Sequence, residues 1–365
     1  MDYNKLIGRE IIKFNADIVS YLKNKRVLIT GAGGSIGRNL SGWIFLGKAQ
    51  RLYLFDHSEN NLFETDRQIL KYNDEFTHLS STKTHVESIV GEIQDTDYVN
   101  FLIDRLNVDI VFHTAAHKHV GMSEQNPVET IKNNVFGTQN IINACRKFNV
   151  EKFILISTDK AVEPISIYGA SKFLAEELVL REKDSQRFLT VRFGNVIGSS
   201  GSVVRIFEDS ISQGVSIDIT HKDIKRYFMT IDEAVSLILK IGDVGKGGNL
   251  YILDMGKPVS IEELAKKIMV FYNKKVEIKY THLKKGEKFE EKLWSDTEEV
   301  EKTDNQKIFK CRKTIQIDVD EVLKDLKPIC FFDPVFPEFY RDKRRLRIAL
   351  NKVIPTIEVG NERRY

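Results

Sequence analysis

The sequence predicts an α/β fold, a doubly wound parallel sheet with a smaller mixed α/β region. Two observations support this prediction. Short apolar runs alternate with segments of helical character through the first half of the 365-residue chain, and the first of these runs leads into a glycine-rich turn. Alternation of this kind builds a parallel sheet whose crossover helices lie on both faces.

Six apolar runs have the character of buried strands or strand ends. They cover residues 25–30, 51–56, 89–95, 109–116, 152–158 and 188–198. Helical segments separate the earlier runs. They cover residues 38–48, 60–73, 97–107 and 126–148. After Gly198 the alternation loosens, and short strands mix with helices such as residues 260–272, which Ser260 is expected to cap.

The glycine-rich turn, TGAGGSIG at residues 30–37, follows the first strand and opens a helix. Gly31, Gly34 and Gly37 recur at three-residue spacing. Such a turn needs glycine for positive φ and for close approach to a pyrophosphate, and the helix N-terminus that follows offers free N–H groups. Asp56 ends the second predicted strand. This context predicts a Rossmann-type dinucleotide site.

The acid at residue 56 favours NAD over NADP, because a carboxylate there accepts hydrogen bonds from the ribose hydroxyls and repels a 2′-phosphate. His57 and Ser58 leave the alternative of a phosphate site open, and Glu92 is a candidate partner for the adenine amine. The predicted cofactor contacts are Gly31, Gly34, Ser35, Ile36, Gly37, Asp56, His57, Ser58, Glu92, Ile93, Ala115, Ala116, Tyr168 and Lys172.

These features divide the chain into four predicted parts. Residues 1–24 form an N-terminal helical extension, and residues 25–198 form the Rossmann domain with the catalytic residues. Residues 199–330 form a mainly substrate-binding region, with the chain crossing between the lobes. Residues 331–365 form a C-terminal extension.

The composition is that of a soluble globular protein, with 42% hydrophobic and 29% charged residues. The formal net charge of +3 is too small to indicate a protein that binds nucleic acid. Three distant cysteines without a CxxC pair fit a reducing cytoplasm. The sequence predicts neither a signal peptide nor a membrane-spanning helix. His117 and His119 lack an evident third ligand, so no metal site is predicted.

Tyr168 and Lys172 are one helical turn apart and share a face. An ammonium near a phenol lowers the pKa of the phenol, and the phenolate takes a proton from a sugar hydroxyl while hydride leaves for nicotinamide. Thr158 can hold the same hydroxyl. The neighbouring pair Asp159 and Lys160 is either a surface ion pair or part of the site, and its place at the end of a strand favours the site.

Seven motifs together resemble the extended short-chain dehydrogenase/reductases. They are TGAGGSIG, FDHSENN, AAHKHVGMSEQNP, STDKAVEPISIYGASK, RFGNVIGSSGSVV, RYFMTIDEAV and LKKGEKFEEKL, in order from Leu6 to Leu293. Within that group the chain resembles the UDP-N-acetylglucosamine 4,6-dehydratases of bacterial surface-polysaccharide biosynthesis, in their short soluble form. TDKAV followed by YGASK distinguishes them from the sugar 4-epimerases.

This resemblance implies a reaction in which each of the clustered side chains has a task. Tyr168 takes the C4 hydroxyl proton as hydride passes to NAD⁺. Lys160 removes the C5 proton, provided that its pKa is lowered, and a protonated Asp159 donates to the departing C6 hydroxyl. Hydride then returns to C6, so the cofactor is regenerated and expected to stay tightly bound. Tyr168 favours C5 inversion, whereas FDHSENN is more similar to the retaining members.

The resemblance also implies contacts with a nucleotide-sugar substrate. The candidates are Lys118, Asn195, Ser202, Arg205, Arg226 and Glu287. Each has a plain alternative as a solvated surface group. The family commonly assembles through helices of the Rossmann part, so a homo-oligomer is expected.

Four alternatives stay open. Two keep the reaction but change the substrate to GDP-N-acetylglucosamine or retain the configuration at C5. The third alternative is a 4-epimerase, whose reaction would give no role to Asp159 and Lys160. The fourth is a dinucleotide-binding sensor, which would not need Tyr168, Lys172 and Asp159 together.

Overall fold

The computed structural model describes residues 3–11, 16–76, 84–182, 187–315 and 317–360. The strands in this part of the chain are β1 Arg26–Thr30, β2 Arg51–Asp56, β3 His85–Val90, β4 Ile110–His113, β5 Lys152–Thr158, β6 Phe188–Phe193, β7 Asn195–Ile197, β8 Ile217–Ile219, β9 Lys225–Arg226, β10 Phe228–Thr230, β11 Leu250–Leu253, β12 Val259–Ser260, β13 Ile278–Tyr280, β14 Glu298–Lys302 and β15 Ile308–Lys313.

The α-helices are α1 Tyr3–Ile7, α2 Ser35–Leu46, α3 Glu59–Phe76, α4 Thr96–Leu106, α5 Val120–Gln125, α6 Pro127–Ile131, α7 Thr138–Lys147, α8 Ile167–Leu180, α9 Val203–Gln213, α10 Ile231–Val244, α11 Ile261–Phe271, α12 Val319–Cys330 and α13 Lys343–Asn351. Short 3-10 helices cover Ala16–Leu22, Asp159–Ala161 and Pro337–Phe339, and a π-helical turn covers Lys132–Gly137.

The described strands form one large sheet in the order β14-β15-β11-β6-β5-β4-β1-β2-β3. From β11 to β3 all neighbours are parallel, and β15 and β14 add an antiparallel edge. The order reverses between β1 and β4, which opens a crevice at the carboxyl ends of these strands. The predicted doubly wound α/β fold is confirmed.

Helices cover both faces of the sheet, because its central strands β4, β5 and β6 are buried on both sides. One buried cluster joins the sheet to α4, α7, α8, α12 and α13. A second joins the opposite face to α2, α3, α10 and the 3-10 helix Ala16–Leu22. A third, smaller cluster joins α1, α9, α11 and the short strand β8. This last cluster is the core of the mixed region that follows the Rossmann strands.

The chain returns to the main sheet after residue 198. Strand β11 pairs with β6, and the hairpin of β14 and β15 extends the sheet beyond it. The C-terminal helices α12 and α13 pack into the core of the Rossmann face. The division at residues 198 and 330 therefore stays a prediction about function, and it does not separate independent sheets.

Two predicted elements are interrupted in the structure. The run 188–198 ends as β6 at Phe193, and after Gly194 the chain leaves the main sheet as β7 to pair with β10. The predicted helix 126–148 contains the π-helical turn Lys132–Gly137. Extra-residue turns of this type are frequent at functional sites.

The π-helical turn directs Asn134 towards the interior, and the Asn134 side chain is fully buried. Its Oδ1 accepts from the His117 backbone N–H at 2.8 Å, and its Nδ2 donates to the His117 carbonyl and to Ser171 Oγ, each at 2.9 Å. The turn therefore fixes the loop after β4 against helix α8.

Within the described residues, no helix combines the length and apolar character that crossing a membrane requires. Cys145, Cys311 and Cys330 are buried free thiols.

Candidate active site

The glycine-rich turn has the close packing that the sequence predicts. Gly31 has φ +72°, and a Cβ there would lie 2.6 Å from the backbone of Ala115. A Cβ on Gly37 would overlap the carbonyl oxygen of Gly31. Helix α2 begins at Ser35 after an N-cap, Gly34, that has no side-chain cap. The N–H groups of the first turn therefore face the crevice and can receive an anion.

Asp56 lies at the end of β2 and supports this turn. Its Oδ2 accepts from the Gly33 N–H and its Oδ1 from the Ser58 N–H, both at 2.9 Å, and His57 Nδ1 lies 3.4 Å from Oδ1. A cation that the sequence analysis did not assign, Arg38, donates to the Gly33 carbonyl at 3.4 Å. The ribose side of the turn thus holds a carboxylate and a guanidinium together.

The other predicted cofactor contacts follow β3 and β4. Ala115 backs Gly31, and Ala116 follows it in the same loop. Glu92 is exposed at the rim, whereas Ile93 is buried and packs closely against Gly137. The Ile93 side chain therefore belongs to the core, and only the Ile93 backbone is available to contact a bound nucleotide.

The predicted catalytic group assembles at the carboxyl end of β5. Thr158 Oγ1 accepts from the Lys160 N–H at 3.4 Å, which caps the 3-10 helix Asp159–Ala161, and it donates to Asp159 Oδ1 at 2.9 Å. Lys160 Nζ donates to Asp159 Oδ1 and to Asn195 Oδ1, each at 3.0 Å. Asn195, a predicted substrate residue, is thus brought directly to the Lys160 amine.

Tyr168 lies in the first turn of α8, which Ser166 caps through the Gly169 N–H at 3.0 Å. Burial raises the pKa of Tyr168, although the Lys160 ammonium and a hydrogen bond with Thr158 act to lower it. Lys160 is the cation with the largest lowering effect on this pKa, and the effect expected of Lys172 stays a prediction. Burial itself lowers the pKa of Lys172 to about 8, against the opposing effect of Glu176.

Of the pKa directions expected for Asp159 and Lys160, that of Lys160 differs in the structure. Burial disfavours the Lys160 ammonium, but the carboxylates of Asp159 and Glu291 outweigh it and raise the pKa of Lys160. The lowered pKa that a basic Lys160 requires is therefore not found in the protein alone. Burial, together with Glu291, raises the pKa of Asp159 against the opposing effect of Lys160. That direction suits an acid.

Sequence reasoning missed Glu291, although its segment LKKGEKFEEKL was part of the resemblance. Glu291 is buried, with Oε1 3.7 Å from Lys160 Nζ and Oε2 3.6 Å from Lys288 Nζ. Two acids follow each other in this segment, and only the fold shows which one turns inward. Glu290 is exposed.

The predicted substrate residues form two groups. Lys118 and Arg205 lie near each other, since burial and Arg205 lower the pKa of Lys118, and Ser202 is the N-cap of helix α9, which carries Arg205. Lys118 Nζ donates to the Ser200 carbonyl at 2.8 Å, and the Ser200 N–H donates to Ser35 Oγ at 2.9 Å. The loop at Ser200 therefore spans from the glycine-rich turn to this cationic group.

Arg226 and Glu287 form the second group. Arg226 is buried and donates to the carbonyls of Lys225, Lys288 and Phe289. Glu287 accepts from Thr220 Oγ1 at 3.0 Å and lies 3.5 Å from Arg226. The Arg226 guanidinium thus holds the segment that carries Glu291, a supporting task that the sequence analysis did not assign.

Gly194 offers a test of how closely the acid is packed. A Cβ there would lie 2.7 Å from Asp159 Oδ2 and 3.1 Å from Met255 Sδ. We expect Gly194→Ala to lower the free energy of unfolding by about 1–3 kcal/mol, the usual cost of overpacking. Denaturant titration measures this change. Gly121→Ala on α5 is the control, because a Cβ there meets nothing within 4 Å, and equal losses in both variants would contradict close packing at Asp159.

In the part of the chain that the structure describes, no three His, Cys, Asp or Glu side chains come together in a way that could hold a metal ion.

Comparison with known proteins identifies the family of the chain. Residues 27–313 match the family described as polysaccharide biosynthesis protein. The capsular polysaccharide biosynthesis protein CapD of Staphylococcus aureus is 36% identical over 335 residues, which are 89% of this chain and 55% of CapD. The chain thus spans about half the length of that curated relative.

Two further relatives have enzyme names. The UDP-N-acetylglucosamine 4,6-dehydratase (inverting) of Campylobacter jejuni is 32% identical over 234 residues, covering 62% of this chain and 66% of that protein. The UDP-glucose 4-epimerase of Rickettsia rickettsii is 34% identical over 289 residues, covering 77% of this chain and 81% of that protein. Since the family match extends over most of the chain, the chain belongs to the polysaccharide biosynthesis protein family, with the fold of the extended short-chain dehydrogenase/reductases.

Proposed function

We propose that the chain is a nucleotide-sugar 4,6-dehydratase that converts UDP-N-acetylglucosamine to a UDP-4-keto-6-deoxy sugar for surface-glycan biosynthesis. The observation that carries this proposal is the buried contact of Asp159 with Lys160, beside Tyr168. Dehydration needs an acid and a base for C5 and C6 in addition to the base at C4. A buried acid–amine pair at the end of β5 supplies them.

The dinucleotide site fits a nicotinamide cofactor, because the space beside Gly31 and Gly37 admits no side chain and the first turn of α2 presents free N–H groups. Asp56 and the α2 N-terminus would hold NAD, with NADP as the alternative that Arg38 favours. The bound cofactor supplies reversible hydride transfer, out of C4 and back to C6. Lys118, Ser202 and Arg205 are proposed to receive the substrate's phosphates, and Asn195, Arg226 and Glu287 to border the rest of the substrate.

The side chains of this site move the protons. Tyr168, once ionised, accepts the proton of the C4 hydroxyl, and the C4 oxygen becomes a ketone. The free amine of Lys160 accepts the C5 proton, and the electron pair of the C5–H bond forms the C5–C6 double bond as the C6–O bond breaks. Asp159 donates its proton to the departing oxygen, which leaves as water. As hydride returns to C6, C5 takes a proton from solvent, on the face opposite to the one that lost its proton where C5 is inverted, and the carbon skeleton ends as a 4-ketone with a C6 methyl group.

Proton NMR of the purified protein with UDP-N-acetylglucosamine in D₂O tests the proposal. A new methyl signal is expected without added cofactor, with deuterium at C5, and the sugar couplings then report the configuration. We propose inversion at C5, which the name of the Campylobacter relative also supports. Turnover of GDP-N-acetylglucosamine alone would change the substrate and leave the reaction unchanged.

A UDP-glucose 4-epimerase is the second candidate, because a relative with that name covers 77% of this chain. It would invert C4 without forming a methyl group or releasing water. The same NMR experiment distinguishes the dehydratase from the epimerase. No change in the spectrum of either substrate after NAD⁺ is added would favour a dinucleotide-binding sensor. Assembly as a homo-oligomer in the cytoplasm stays part of the proposal.

A further inference from the structure

Glu291 is a buried carboxylate for which the proposed reaction has no assigned task. Only 4% of its surface is exposed. Its Oε1 lies 3.7 Å from Lys160 Nζ, and its Oε2 has no hydrogen-bond partner among the described residues. A buried carboxylate oxygen without a partner is costly. Such a group at the centre of a site therefore calls for a functional reason.

The position of Glu291 gives Lys160 a second carboxylate. Asp159 Oδ1 lies 3.0 Å from the Lys160 ammonium, and Glu291 Oε1 lies 3.7 Å from it. Asp159 Oδ2, like Glu291 Oε2, is buried without a hydrogen-bond partner in the described structure. The ammonium is thus held between two carboxylates, each of which keeps one oxygen without a hydrogen bond, and Glu291 Oε2 lies 3.6 Å from Lys288 Nζ.

We propose that Glu291 is a positioning residue of the acid–base centre, which holds the Lys160 ammonium beside Asp159 and so sets the pH at which Lys160 begins to remove the C5 proton. This inference rests on the proposed function. It gives a task to the second acid of the KFEEKL segment, which lies far from Lys160 in the sequence. Glu291 acts through Lys160 and needs no contact with the substrate.

The direction in which Glu291 shifts the pKa of Lys160 follows from the charges of the two side chains. A nearby carboxylate favours the ammonium over the free amine, and Glu291 accordingly raises the pKa of Lys160. Replacing the Glu291 charge by an amide should therefore release the free amine at lower pH. The charged and titratable groups that face this centre are Asp159, Lys160, Glu163, Tyr168, Arg226 and Lys288.

The test is the pH dependence of deuterium incorporation at C5, measured by mass spectrometry in D₂O buffers with UDP-N-acetylglucosamine. In the unmodified protein the rate should rise with pH as Lys160 loses its proton. In Glu291→Gln the midpoint of this rise should move down by about 1 pH unit or more, the usual effect of one charge at this distance. Glu291→Asp keeps the charge and should restore the midpoint most of the way.

Glu290→Gln is the matched control, because it makes the same chemical change at an exposed neighbour. Its midpoint should stay at that of the unmodified protein.

Lys288→Gln makes the complementary change. Lys288 Nζ lies 3.6 Å from Glu291, and the like charges of Lys288 and Lys160 lower each other's pKa. Removing Lys288 should therefore move the midpoint up. Where Glu291→Gln fails to fold, Glu291→Asp tests the proposal, because it keeps the charge but withdraws it from Lys160 by one methylene and should move the midpoint down by a smaller amount.

The outcomes separate this inference from the proposed function. An unmodified protein that incorporates no deuterium at C5 would overturn the dehydratase proposal itself. Normal incorporation in the unmodified protein, with the same midpoint in Glu291→Gln or in Glu291→Asp, would overturn only the role of Glu291. A purely structural Glu291 would lower the amount of active protein in Glu291→Gln and leave the midpoint in place.

Discussion

Lys160→Ala is expected to slow deuterium incorporation at C5 by about 10²–10⁴-fold, the range found when a positioned acid or base is removed. The variant lacks the amine that accepts the proton, and Asn195 and Asp159 lose the donor that now bonds both. The measurement is mass spectrometry of the sugar nucleotide after incubation in D₂O. The rise of the rate with pH should disappear together with the amine.

An exposed lysine provides the control for this loss. Lys266 on α11 pairs with Glu262 at the surface, and Lys266→Ala should incorporate deuterium at the rate of the unmodified protein. Incorporation at a normal rate in Lys160→Ala would show that another group removes the C5 proton.

Asp159→Asn is expected to slow the loss of the C6 hydroxyl by about 10²–10⁴-fold while C4 oxidation continues. The amide keeps the size of the side chain but has no acidic proton to give to the leaving oxygen. In a single turnover the absorbance of reduced nicotinamide should rise and persist, and the methyl signal should form slowly. The two signals together therefore report the two steps separately.

The control for the acid is Asp296→Asn, an exposed site in the loop before β14. Both signals should keep their normal rates there. Equal slowing of C4 oxidation and methyl formation in Asp159→Asn would remove Asp159 from the role of acid and leave it a role in arranging the whole site.

Most of the parallel sheet could be predicted from the sequence because its signals are local. The runs that became β1, β2 and β5 are short, apolar and buried on both faces, and the glycine-rich turn sits between β1 and α2. Breaks within an element depend on distant contacts. Strand β6 ends at Phe193, and a Cβ on the next residue, Gly194, would lie 2.7–3.1 Å from atoms of Asp159, Met255 and Tyr227.

The candidate site was predictable to the extent that its members are close in sequence. Thr158, Asp159 and Lys160 are consecutive, and Tyr168 follows within the same motif. The pKa directions were harder to predict, because they depend on burial and on charges from other segments. Asp159 and Glu291 together raise the pKa of Lys160, where the sequence led us to expect a lowered pKa, and the Lys160 ammonium acts to lower the pKa of Tyr168.

By itself the sequence determined the kind of sheet, the place of the glycine-rich turn and the local group of candidate proton-transferring side chains, since each depends on neighbours within one or two turns of chain. Only the tertiary structure decided that Asn195 and Glu291 meet Lys160, and that carboxylates raise the pKa of Lys160. The physical reason is that a buried charge takes its energy from whatever lies within a few ångströms, and those neighbours come from β7 and from a segment more than a hundred residues away.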